Sequence, residues 1–520
     1  MRQRDYLAHF VRADYVKCRG ISGMRYVVSS NEMRRCDNNT ITEFKIPSMV
    51  LMERAALAVA EEIMRNYSGI RVLILAGCGN NGGDGLAIGR LLMQQNYDVT
   101  CVLLGETERC SEQTACQMEI LQKYGLEIGC NLPDEEYDII VDAIFGIGLT
   151  RKITGKYAEA IEYINRSGAD TVSVDVPSGI CSDTGKIMGT AVKADMTVTF
   201  AYIKKGIVLY PGAEYAGKII CRDIGITKES FLGQYPSCFT YDKEDFIRLP
   251  LRPADGNKGT FGKVLLIAGS KNMSGACLLA GESIYRTGAG LVRIMTVEEN
   301  RILLQDKLPE AVLVTYNAEQ YPKQELEESV AWADCIAVGP GLSQNKVAEE
   351  IVETILHSAK PLVLDADAIN IIARNTSYQR LLKEKNNVIL TPHIGEFARL
   401  SGKTTTEIKS NIIETAHTFA REYDVILVCK DARTIVCNAE EQIYINTSGN
   451  AGMATAGAGD VLTGIIAGLV AQRMELYEAA ALGVYIHGMA GDMAAQKYNE
   501  YYLMAGTLIE QLQYILKKDE

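Results

Sequence analysis

Paired cysteines, long apolar runs and an excess of positive charge are all missing from this sequence of 520 residues. The 14 cysteines are scattered and no two stand at C-x-x-C spacing, so neither a disulfide framework nor a zinc site is indicated. No apolar run approaches the ~18 residues that suggest a membrane span. Residues 1–23 contain several arginines but no apolar core of a secretory signal. We therefore expect reduced thiols, a soluble cytoplasmic protein and an N-terminal extension that ends near residue 24.

Acidic residues outnumber basic ones, with 65 Asp and Glu against 53 Lys and Arg and a net charge of −12. General binding to nucleic acid or to an anionic membrane needs clustered positive charge, so we expect neither partner, although a local phosphate site is still possible. The content of 47% apolar and 23% charged residues is typical of an ordinary globular protein. A chain of this length is expected to form two domains.

The first half alternates short apolar runs with helix-length stretches, which is typical of an α/β domain. A glycine-rich loop follows the first run, and a helical pattern extends from Asp84 to Gln95. We predict a mostly parallel sheet with helices on both faces. Its predicted strands are 72–76, 99–104, 139–145, 171–176 and 197–201.

A polar, charged stretch between Cys238 and Arg252 separates this half from a second series of α/β units. We place the domain boundary there, which gives domains of 24–238 and 248–520. The predicted strands of the second domain are 264–268, 291–296, 335–338, 362–364, 388–390, 425–428 and 434–436.

Residues 77–85 read Gly-Cys-Gly-Asn-Asn-Gly-Gly-Asp-Gly, between a predicted strand and a predicted helix. Glycines allow a ligand to approach the backbone, and a helix N-terminus favours a phosphate. The run also matches the dinucleotide pattern G-x-G-x-x-G, which is weak evidence by itself. With Glu106 as the acidic residue for a ribose, an NAD-dependent dehydrogenase is one interpretation.

Two further predicted strands end in carboxylates, Asp142 and Asp175, where open α/β sheets bind their ligands. The loop Gly-Ile-Gly-Leu-Thr at 146–150 and Ser178 lie close to them in sequence. The set is consistent with a site that holds a cation or transfers a proton. Each Asp could equally be a turn cap.

The ordered motifs of the first half resemble the NAD(P)H-hydrate epimerase family. They are Asn-Asn-Gly-Gly-Asp-Gly at 80–85, Asp142 with Phe-Gly-Ile-Gly-Leu, Asp175-Val-Pro-Ser-Gly, and Thr-Phe-Ala-Tyr-Ile-Lys-Lys-Gly from Thr199. The resemblance covers most of residues 24–235 and implies a Rossmann-like three-layer domain.

The same resemblance assigns roles to residues of the first domain. It implies that Asp175 is the catalytic acid or base, with Lys204 as a second catalytic candidate, although Ile203 stands where the family usually has proline. Hard oxygen ligands suit K⁺, and the implied potassium ligands are Asn81, Asp142 and Ser178. The implied substrate-binding residues are Asn80, Asn81, Gly82, Gly83, Asp84, Gly146, Ile147, Gly148, Leu149, Thr150, Arg151 and Lys152.

Residues 454–460 of the second half read Ala-Thr-Ala-Gly-Ala-Gly-Asp, and an apolar helical stretch follows to Ala471. Backbone N–H groups at a helix start can stabilise a transferring phosphoryl group, and an adjacent Asp can accept a hydroxyl proton. No G-x-x-x-x-G-K-[ST] run is present, so the sequence does not support a P-loop mechanism.

The glycine-rich run Thr455-x-Gly-Ala-Gly-Asp460 resembles the anion-hole and base signature of ribokinase-like kinases. The motifs around it resemble the NAD(P)H-hydrate dehydratase family over nearly all of residues 250–515. They begin at Asn257, Ala268, Thr287, Val338, Asp365, Thr391 and Gly449.

This second resemblance implies a hydrate site at Ala276, Gly341, His393 and Asp460, with Asp460 as the catalytic base. A lone histidine after a buried strand is often structural, but the Thr-Pro-His motif favours substrate contact for His393. The implied nucleotide-binding residues are Lys430, Asp431, Ala432, Arg433, Thr434 and Gly459. The chain departs from the family pattern at Asp431, which replaces a glycine, and at Ala456 and Ala458.

Together the resemblances imply an enzyme that repairs the hydrates of NADH and NADPH (NADHX and NADPHX). One domain would interconvert the R and S epimers. The other would dehydrate the S form with ADP, or ATP, as the phosphoryl donor and Mg²⁺ on its phosphates. We also expect a homo-oligomer. The alternative is a ribokinase-like small-molecule kinase with a non-catalytic Rossmann-like binding domain.

Overall fold

The computed structural model describes residues 25–516 and divides them into two compact units, with the division between Pro236 and Ser237. In this range no helix is long and apolar enough to span a membrane. Strands and helices are numbered here along the whole chain.

The first unit contains nine strands and seven helices within its described residues. The strands are β1 (Arg25–Val28), β2 (Arg71–Ala76), β3 (Asp98–Leu103), β4 (Ile128–Gly129), β5 (Ile139–Ala143), β6 (Asp170–Val174), β7 (Met196–Phe200), β8 (Ile203–Lys204) and β9 (Lys218–Arg222). The helices are α1 (Ser30–Thr42), α2 (Ser48–Asn66), α3 (Asn80–Gln94), α4 (Glu112–Lys123), α5 (Lys156–Ser167), α6 (Lys205–Val208) and α7 (Gly212–Tyr215).

The main sheet of the first unit has the strand order β4-β3-β2-β5-β6-β7-β9, with every neighbouring pair parallel. Alternate residues of β2 enter different cores: Val72 and Ile74 pack with α2 and α3, whereas Leu73 and Leu75 pack with α5. Since side chains alternate across a strand, both faces of the sheet are covered. The predicted three-layer fold is confirmed.

One predicted boundary in this unit is wrong. The helical pattern was expected from Asp84, but α3 begins at Asn80, with Gly79 as its N-cap. The glycine pairs suggested a loop because glycine is a poor helix former. Close packing reverses that preference, since a side chain at Gly82 would overlap the carbonyl oxygen of Gly77.

The second unit has ten strands and twelve helices within its described residues. The strands are β10 (Cys238–Thr240), β11 (Lys263–Ile267), β12 (Leu291–Val297), β13 (Val312–Tyr316), β14 (Cys335–Val338), β15 (Leu362–Leu364), β16 (Val388–Leu390), β17 (Ile426–Cys429), β18 (Ile435–Cys437) and β19 (Ile443–Ile445). The helices are α8 (Ser274–Arg286), α9 (Arg301–Lys307), α10 (Lys323–Trp332), α11 (Lys346–Leu356), α12 (Ala366–Arg374), α13 (Thr376–Lys383), α14 (Ile394–Ser401), α15 (Thr405–Ser410), α16 (Ile412–Tyr423), α17 (Ala458–Ala471), α18 (Leu476–Tyr498) and α19 (Ala505–Ile515).

The strands of the second unit lie in the order β13-β12-β11-β14-β15-β16-β17-β18-β19-β10. They pair in parallel from β13 to β17, β18 is antiparallel to both of its neighbours, and β10 is parallel to β19. The charged stretch before β11 belongs to this unit. Within it Asp245 is buried and bonds Arg248, which also reaches Glu478 on α18.

Both sheets change direction in the same way. In the first unit the chain runs outward from β2 through β3 to β4 and then returns to β5 on the other side; in the second it runs outward from β11 and returns to β14. Such switch points open a crevice at the carboxyl ends of the two central strands, where ligands bind in open α/β sheets. Several predicted site residues follow these strands: 80–84 after β2, 146–152 after β5, Ala276 after β11 and Gly341 after β14.

Candidate active sites

The crevice of the first unit lies between the ends of β2 and β5. Residues 77–79 lead into α3, and Asn80 to Asp84 form its first turn and the beginning of the second. Gly82 and Gly83 donate the first helical hydrogen bonds to the Gly79 carbonyl. The N–H groups of Asn80 and Asn81 come before these donors in the helix and make no helical hydrogen bond. They lie at the N-terminus of α3, the end of a helix that favours an anionic ligand.

The three predicted potassium ligands lie along a short series of contacts. The buried carboxylate of Asp142 accepts hydrogen bonds of 2.8 Å from Ser173 Oγ and from the N–H of Ser178. The hydroxyl of Ser178 bonds both backbone groups of Phe145. On the other side, Asn81 Oδ1 lies 3.0 Å from the position that a Cβ on Gly146 would take.

Asn81 provides the test of whether a cation fits. Its Nδ2 is buried and has no hydrogen-bond partner among the described residues. An amide can be rotated to exchange N and O, and this would place a free carbonyl oxygen in the buried position. Between residues 25 and 516, no group of three or more His, Cys, Asp or Glu side chains is arranged to hold a metal. A cation here would therefore depend on amide, hydroxyl and carboxylate oxygens together, which fits a weakly bound ion such as K⁺.

Asp175 follows β6 with a φ of 67°, which is uncommon for a residue with a side chain. Its Oδ1 accepts hydrogen bonds from Lys204 Nζ at 2.5 Å and Thr199 Oγ1 at 3.0 Å. Lys204 is 1% exposed and uses its other protons on the Thr199 hydroxyl and the Phe200 carbonyl. The lysine charge is therefore fixed on Oδ1, and no hydrogen bond from the described residues reaches Oδ2.

Two further carboxylates interact with this ion pair. Asp84 is half-buried and makes no hydrogen bond within the described chain; burial first, and then Asp175 and Asp37, raise its pKa well above the ordinary value. Burial also raises the pKa of Asp37 on α1, where Lys204 opposes and Asp175 adds to the shift. Sequence reasoning missed Asp37, since no motif marks it and only the fold brings α1 to β6.

The loop that follows β5 is largely exposed. Gly148, Thr150, Arg151 and Lys152 face solvent, while Ile147 and Leu149 pack partly against the two cores. Arg34 on α1, also missed by the sequence reasoning, donates a hydrogen bond of 3.2 Å to the Ile147 carbonyl. The loop can therefore offer backbone and charged groups to a ligand above the crevice.

In the second unit, Ala276 lies in the first turn of α8 and Gly341 follows β14. The structure brings them together: a Cβ on Gly341 would lie 3.1 Å from the Ala276 Cβ and 3.0 Å from the Met273 Cβ. These two predicted substrate residues therefore meet at the switch point between β11 and β14.

Around the start of α17 the structure assembles a charged cluster. Lys430 Nζ donates to Asp365 Oδ1 at 2.8 Å, and Thr463 Oγ1 donates to Asp365 Oδ2 at 2.7 Å. The same ammonium group lies 3.3 Å from the position of a Cβ on Gly459. A cation therefore stands beside the backbone N–H groups of the helix start, where an anionic phosphoryl group would bind.

Asp460 lies in the first turn of α17 next to this cluster. Burial first, and then the negative charge of Asp365, raise the pKa of Asp460 to about 6, while Lys430 opposes the shift. A carboxylate tuned towards neutrality is suited to accept a proton. Sequence reasoning quoted the motif containing Asp365 but gave this residue no role.

His393 caps α14, and Gly395 N–H donates to its Nδ1 at 3.0 Å. Its Nε2 lies 3.3 Å from Glu396, and its side chain is 55% exposed. A parallel bridge pairs His393 with Lys430. The structural and ligand-binding interpretations are thus compatible, because the ring caps a helix, is more than half exposed, and belongs to a residue whose backbone pairs with that of Lys430.

Residues 430–434, predicted to bind the nucleotide, follow β17 and contain Asp431, where the chain departs from the family pattern. Lys409 Nζ on α15 lies 3.5 Å from the Asp431 carboxylate. The negative charge of Asp431 is therefore partly balanced by the Lys409 ammonium group. Arg433 is buried and reaches the Thr447 carbonyl at 3.4 Å, whereas Asp431 and Ala432 are exposed. Only part of the segment is therefore open to a ligand.

Two ionisable residues on α18 border the same region. The buried Nε2 of His487 has no hydrogen-bond partner within the described residues, and burial lowers the pKa of this histidine to about 4, next to the backbone of Ala458. Asp492 accepts hydrogen bonds from Gly449 N–H and Asn450 Nδ2. Sequence reasoning missed both, although two ionisable residues in the apolar, alanine-rich middle of a helix were an available signal.

The two crevices differ in chemistry. The first has a carboxylate and lysine pair near a helix start, which suits proton transfer, and the second has a glycine-rich helix start beside a carboxylate of raised pKa, which suits phosphoryl transfer. The fold and sites thus define a two-site α/β enzyme.

Comparisons with known proteins identify the family. A family model described as NAD(P)H-hydrate dehydratase matches residues 264–514, and one described as YjeF-related protein N-terminus matches residues 48–206. The chain is 38% identical to a bifunctional NAD(P)H-hydrate repair enzyme of Moorella thermoacetica, over 95% of this chain and 97% of that protein. It is 32% identical to the enzyme of that name from Escherichia coli, over 94% of each chain.

The chain therefore belongs to the family of bifunctional NAD(P)H-hydrate repair enzymes. A solved structure described as an ADP/ATP-dependent NAD(P)H-hydrate dehydratase from Bacillus subtilis, co-crystallised with ATP and Mg²⁺, is 30% identical with a TM-score of 0.46. It covers 53% of this chain and 96% of its own.

Proposed function

We propose that this chain repairs hydrated NADH and NADPH by two reactions, one in each unit. The first unit interconverts the R and S hydrates, and the second dehydrates the S hydrate at the expense of ADP, or ATP. The observation that carries this proposal is the match to bifunctional repair enzymes over 95% of the chain, combined with an acid–base pair in one unit and a phosphoryl-transfer cluster in the other.

In epimerisation, the reacting carbon carries the added hydroxyl and is bonded to the ring nitrogen, whose lone pair can expel the hydroxyl or open the ring. Asp175 is the group that moves the proton. Its Oδ1 is held by Lys204 and Thr199, whereas no hydrogen bond from the described residues reaches Oδ2, which supports a role for Oδ2 in contacting the substrate. Lys204 is then a positioning residue that holds the Asp175 carboxylate in its orientation.

Substrate and potassium would be held by neighbouring parts of the same crevice. Asn80 to Asp84 and the loop 146–152 would bind the hydrate, and Asn81, Asp142 and Ser178 would bind K⁺. The ion would supply positive charge and fix the loops that border the substrate.

The potassium assignment predicts that epimerisation by the wild type is faster in potassium chloride than in choline chloride. Asn81→Ala should lose this difference, because one oxygen ligand is removed. Asn38→Ala, at an exposed position of α1, is the matched control and should keep it. An equal potassium response in Asn81→Ala would remove Asn81 from the ligand set.

In dehydration, Asp460 takes the proton of the hydrate hydroxyl. The hydroxyl oxygen attacks the terminal phosphorus of ADP, and AMP leaves. The phosphorylated hydrate then expels phosphate with help from the ring nitrogen, and a proton leaves the adjacent ring carbon to restore the dihydronicotinamide. Phosphate is a far better leaving group than hydroxide. Lys430 and the N–H groups at the start of α17 stabilise the charge on the transferring group.

The remaining predicted residues would bind the two substrates of this reaction. Ala276, Gly341 and His393 would border the hydrate. Residues 430–434 and Gly459 would border the nucleotide, and Mg²⁺ would be held on its phosphates, as such transfers generally require.

The test follows recovery of dihydronicotinamide absorbance from a mixture of both hydrate epimers, with ADP or ATP, magnesium and potassium. We expect full recovery with the wild type, rapid recovery of only one epimer with Asp175→Asn, and none with Asp460→Asn. Phosphate should form in step with NADH, together with AMP when ADP is the donor and with ADP when ATP is the donor. Nucleotide turnover without NADH would contradict the proposal and favour a small-molecule kinase.

A further inference from the structure

Two half-buried cysteines meet beside the crevice of the first unit. Cys78 lies between β2 and α3, two residues before Asn80. Cys110 lies at the end of the 3-10 turn Thr107–Arg109, which follows β3. Their main chains are joined because Ser111 N–H donates to the Cys78 carbonyl at 2.9 Å.

The two thiols share one acceptor. Cys78 Sγ lies 3.4 Å and Cys110 Sγ 3.9 Å from the carbonyl oxygen of Glu106. The Cys110 thiol also lies 4.0 Å from Met118 Sδ on α4. Gly105 leaves the space for this arrangement, because a Cβ there would overlap Cys78 Sγ.

Other cysteines differ from this pair in their surroundings. Of the other cysteines between residues 25 and 516, eight are buried, Cys181 is half-buried, and Cys116 and Cys130 are exposed. Burial, followed by the interaction with Cys78, raises the pKa of Cys110 to about 11. Cys110 is therefore held as a neutral thiol at neutral pH, which makes it a slow nucleophile until its proton is removed, since the thiolate is the nucleophile.

We propose that Cys78 and Cys110 form a site of reversible disulfide formation that takes small-molecule disulfides of the glutathione type. Cys78 thiolate attacks the reagent disulfide, forms a mixed disulfide and releases one reagent thiolate. Cys110 then loses its proton to solvent and attacks the Cys78 sulfur, which forms the protein disulfide and releases the second thiolate. The protein loses two electrons and two protons, and the reagent gains the two electrons.

Closing this bond has a geometric consequence for the crevice. The sulfurs must leave the Glu106 carbonyl and approach to about 2.05 Å, which pulls the segment before α3 towards residues 107–111. Because this segment leads into Asn80 and Asn81, the disulfide should distort the site where the hydrate is proposed to bind. This consequence, unlike the disulfide itself, rests on the proposed function.

The experiment treats the full-length native protein with oxidised glutathione, blocks free thiols by alkylation and maps the digested peptides by mass spectrometry. We expect a peptide pair that links Cys78 to Cys110 and disappears on reduction. Cys110→Ser should instead accumulate glutathione on Cys78. In Cys116→Ser, the matched control at an exposed position, the link should form as in the wild type.

The rates of epimerisation and of dehydration are then measured on the oxidised protein. Epimerisation should be lost and return on reduction, dehydration should not change, and Cys110→Ser should keep epimerisation before oxidation. If both cysteines are fully alkylated after oxidation, or glutathione stays on Cys78 of the wild type, the disulfide proposal is wrong. If the link forms but reduced wild type shows no epimerisation, the proposed function fails and the disulfide site stands.

Discussion

Asp365→Asn should move the acid limb of the dehydration reaction to lower pH. Asp460 must be ionised to act as a base, and its pKa is raised to about 6, so kcat/KM should fall as the pH decreases through about 6. Replacing Asp365 removes a negative neighbour that favours protonation of Asp460. It also leaves the charge of Lys430 without its carboxylate partner, and both changes favour ionised Asp460.

The size of this shift can be bounded. The pKa of Asp460 rises from 3.8 to about 6, with burial as the largest cause and Asp365 as the second. Because burial is the larger cause and stays in place, we expect removal of Asp365 to lower the pKa of Asp460 by roughly one unit, or about 1.4 kcal/mol between the protonation states. Asn keeps the shape of Asp and can still bond Lys430 and Thr463, so the fold should persist.

The assay is the pH profile of kcat/KM for NADH recovery from the S hydrate, which reports pKa values of the free enzyme. Asp334→Asn is the control. This exposed carboxylate precedes β14, so it lies at the amino-terminal ends of the strands, away from Asp460. The acid limb of the Asp334→Asn profile should lie at the same pH as that of the wild type. A limb in Asp365→Asn that is unmoved, or moved to higher pH, would refute the assignment of Asp365 as the residue that tunes Asp460.

Two further predictions concern packing and surface charge. Gly82→Ala should lower the free energy of unfolding of the first unit by roughly 1–3 kcal/mol, because the added Cβ overlaps the Gly77 carbonyl. Calorimetry measures this loss. Gly79→Ala is the control and should show no comparable loss, because a Cβ there meets open space. Lys409→Ala should raise the Kd for ADP up to about fivefold at low salt, because the negative charge of Asp431 then lacks its ion-pair partner and repels the phosphates. The expected change in Kd is small because ion pairs at the surface are weak. Titration calorimetry at two salt concentrations checks this, and an effect that does not decrease at high salt would contradict the electrostatic explanation.

Much of the fold followed from local patterns. The apolar runs at β2, β5, β11 and β14 were recognisable because strands buried on both faces are nearly continuously apolar. Strands with weaker apolar contrast, such as β13 with its partly exposed residues, were not identified. The start of α3 was misplaced because helix propensity disfavours glycine, whereas contacts with distant backbone require it.

The sequence by itself determined the α/β class, the order of the motifs and the ends of strands where candidate side chains lie, because these depend on local periodicity and on the identity of neighbouring residues. Only the tertiary structure joined Asp37 to Asp175, Asp365 to Asp460 and Cys78 to Cys110. The members of these pairs come from different elements, so their proximity depends on how the sheets order their strands. Charge coupling, burial and thiol contact follow from that proximity and are not encoded in any local pattern.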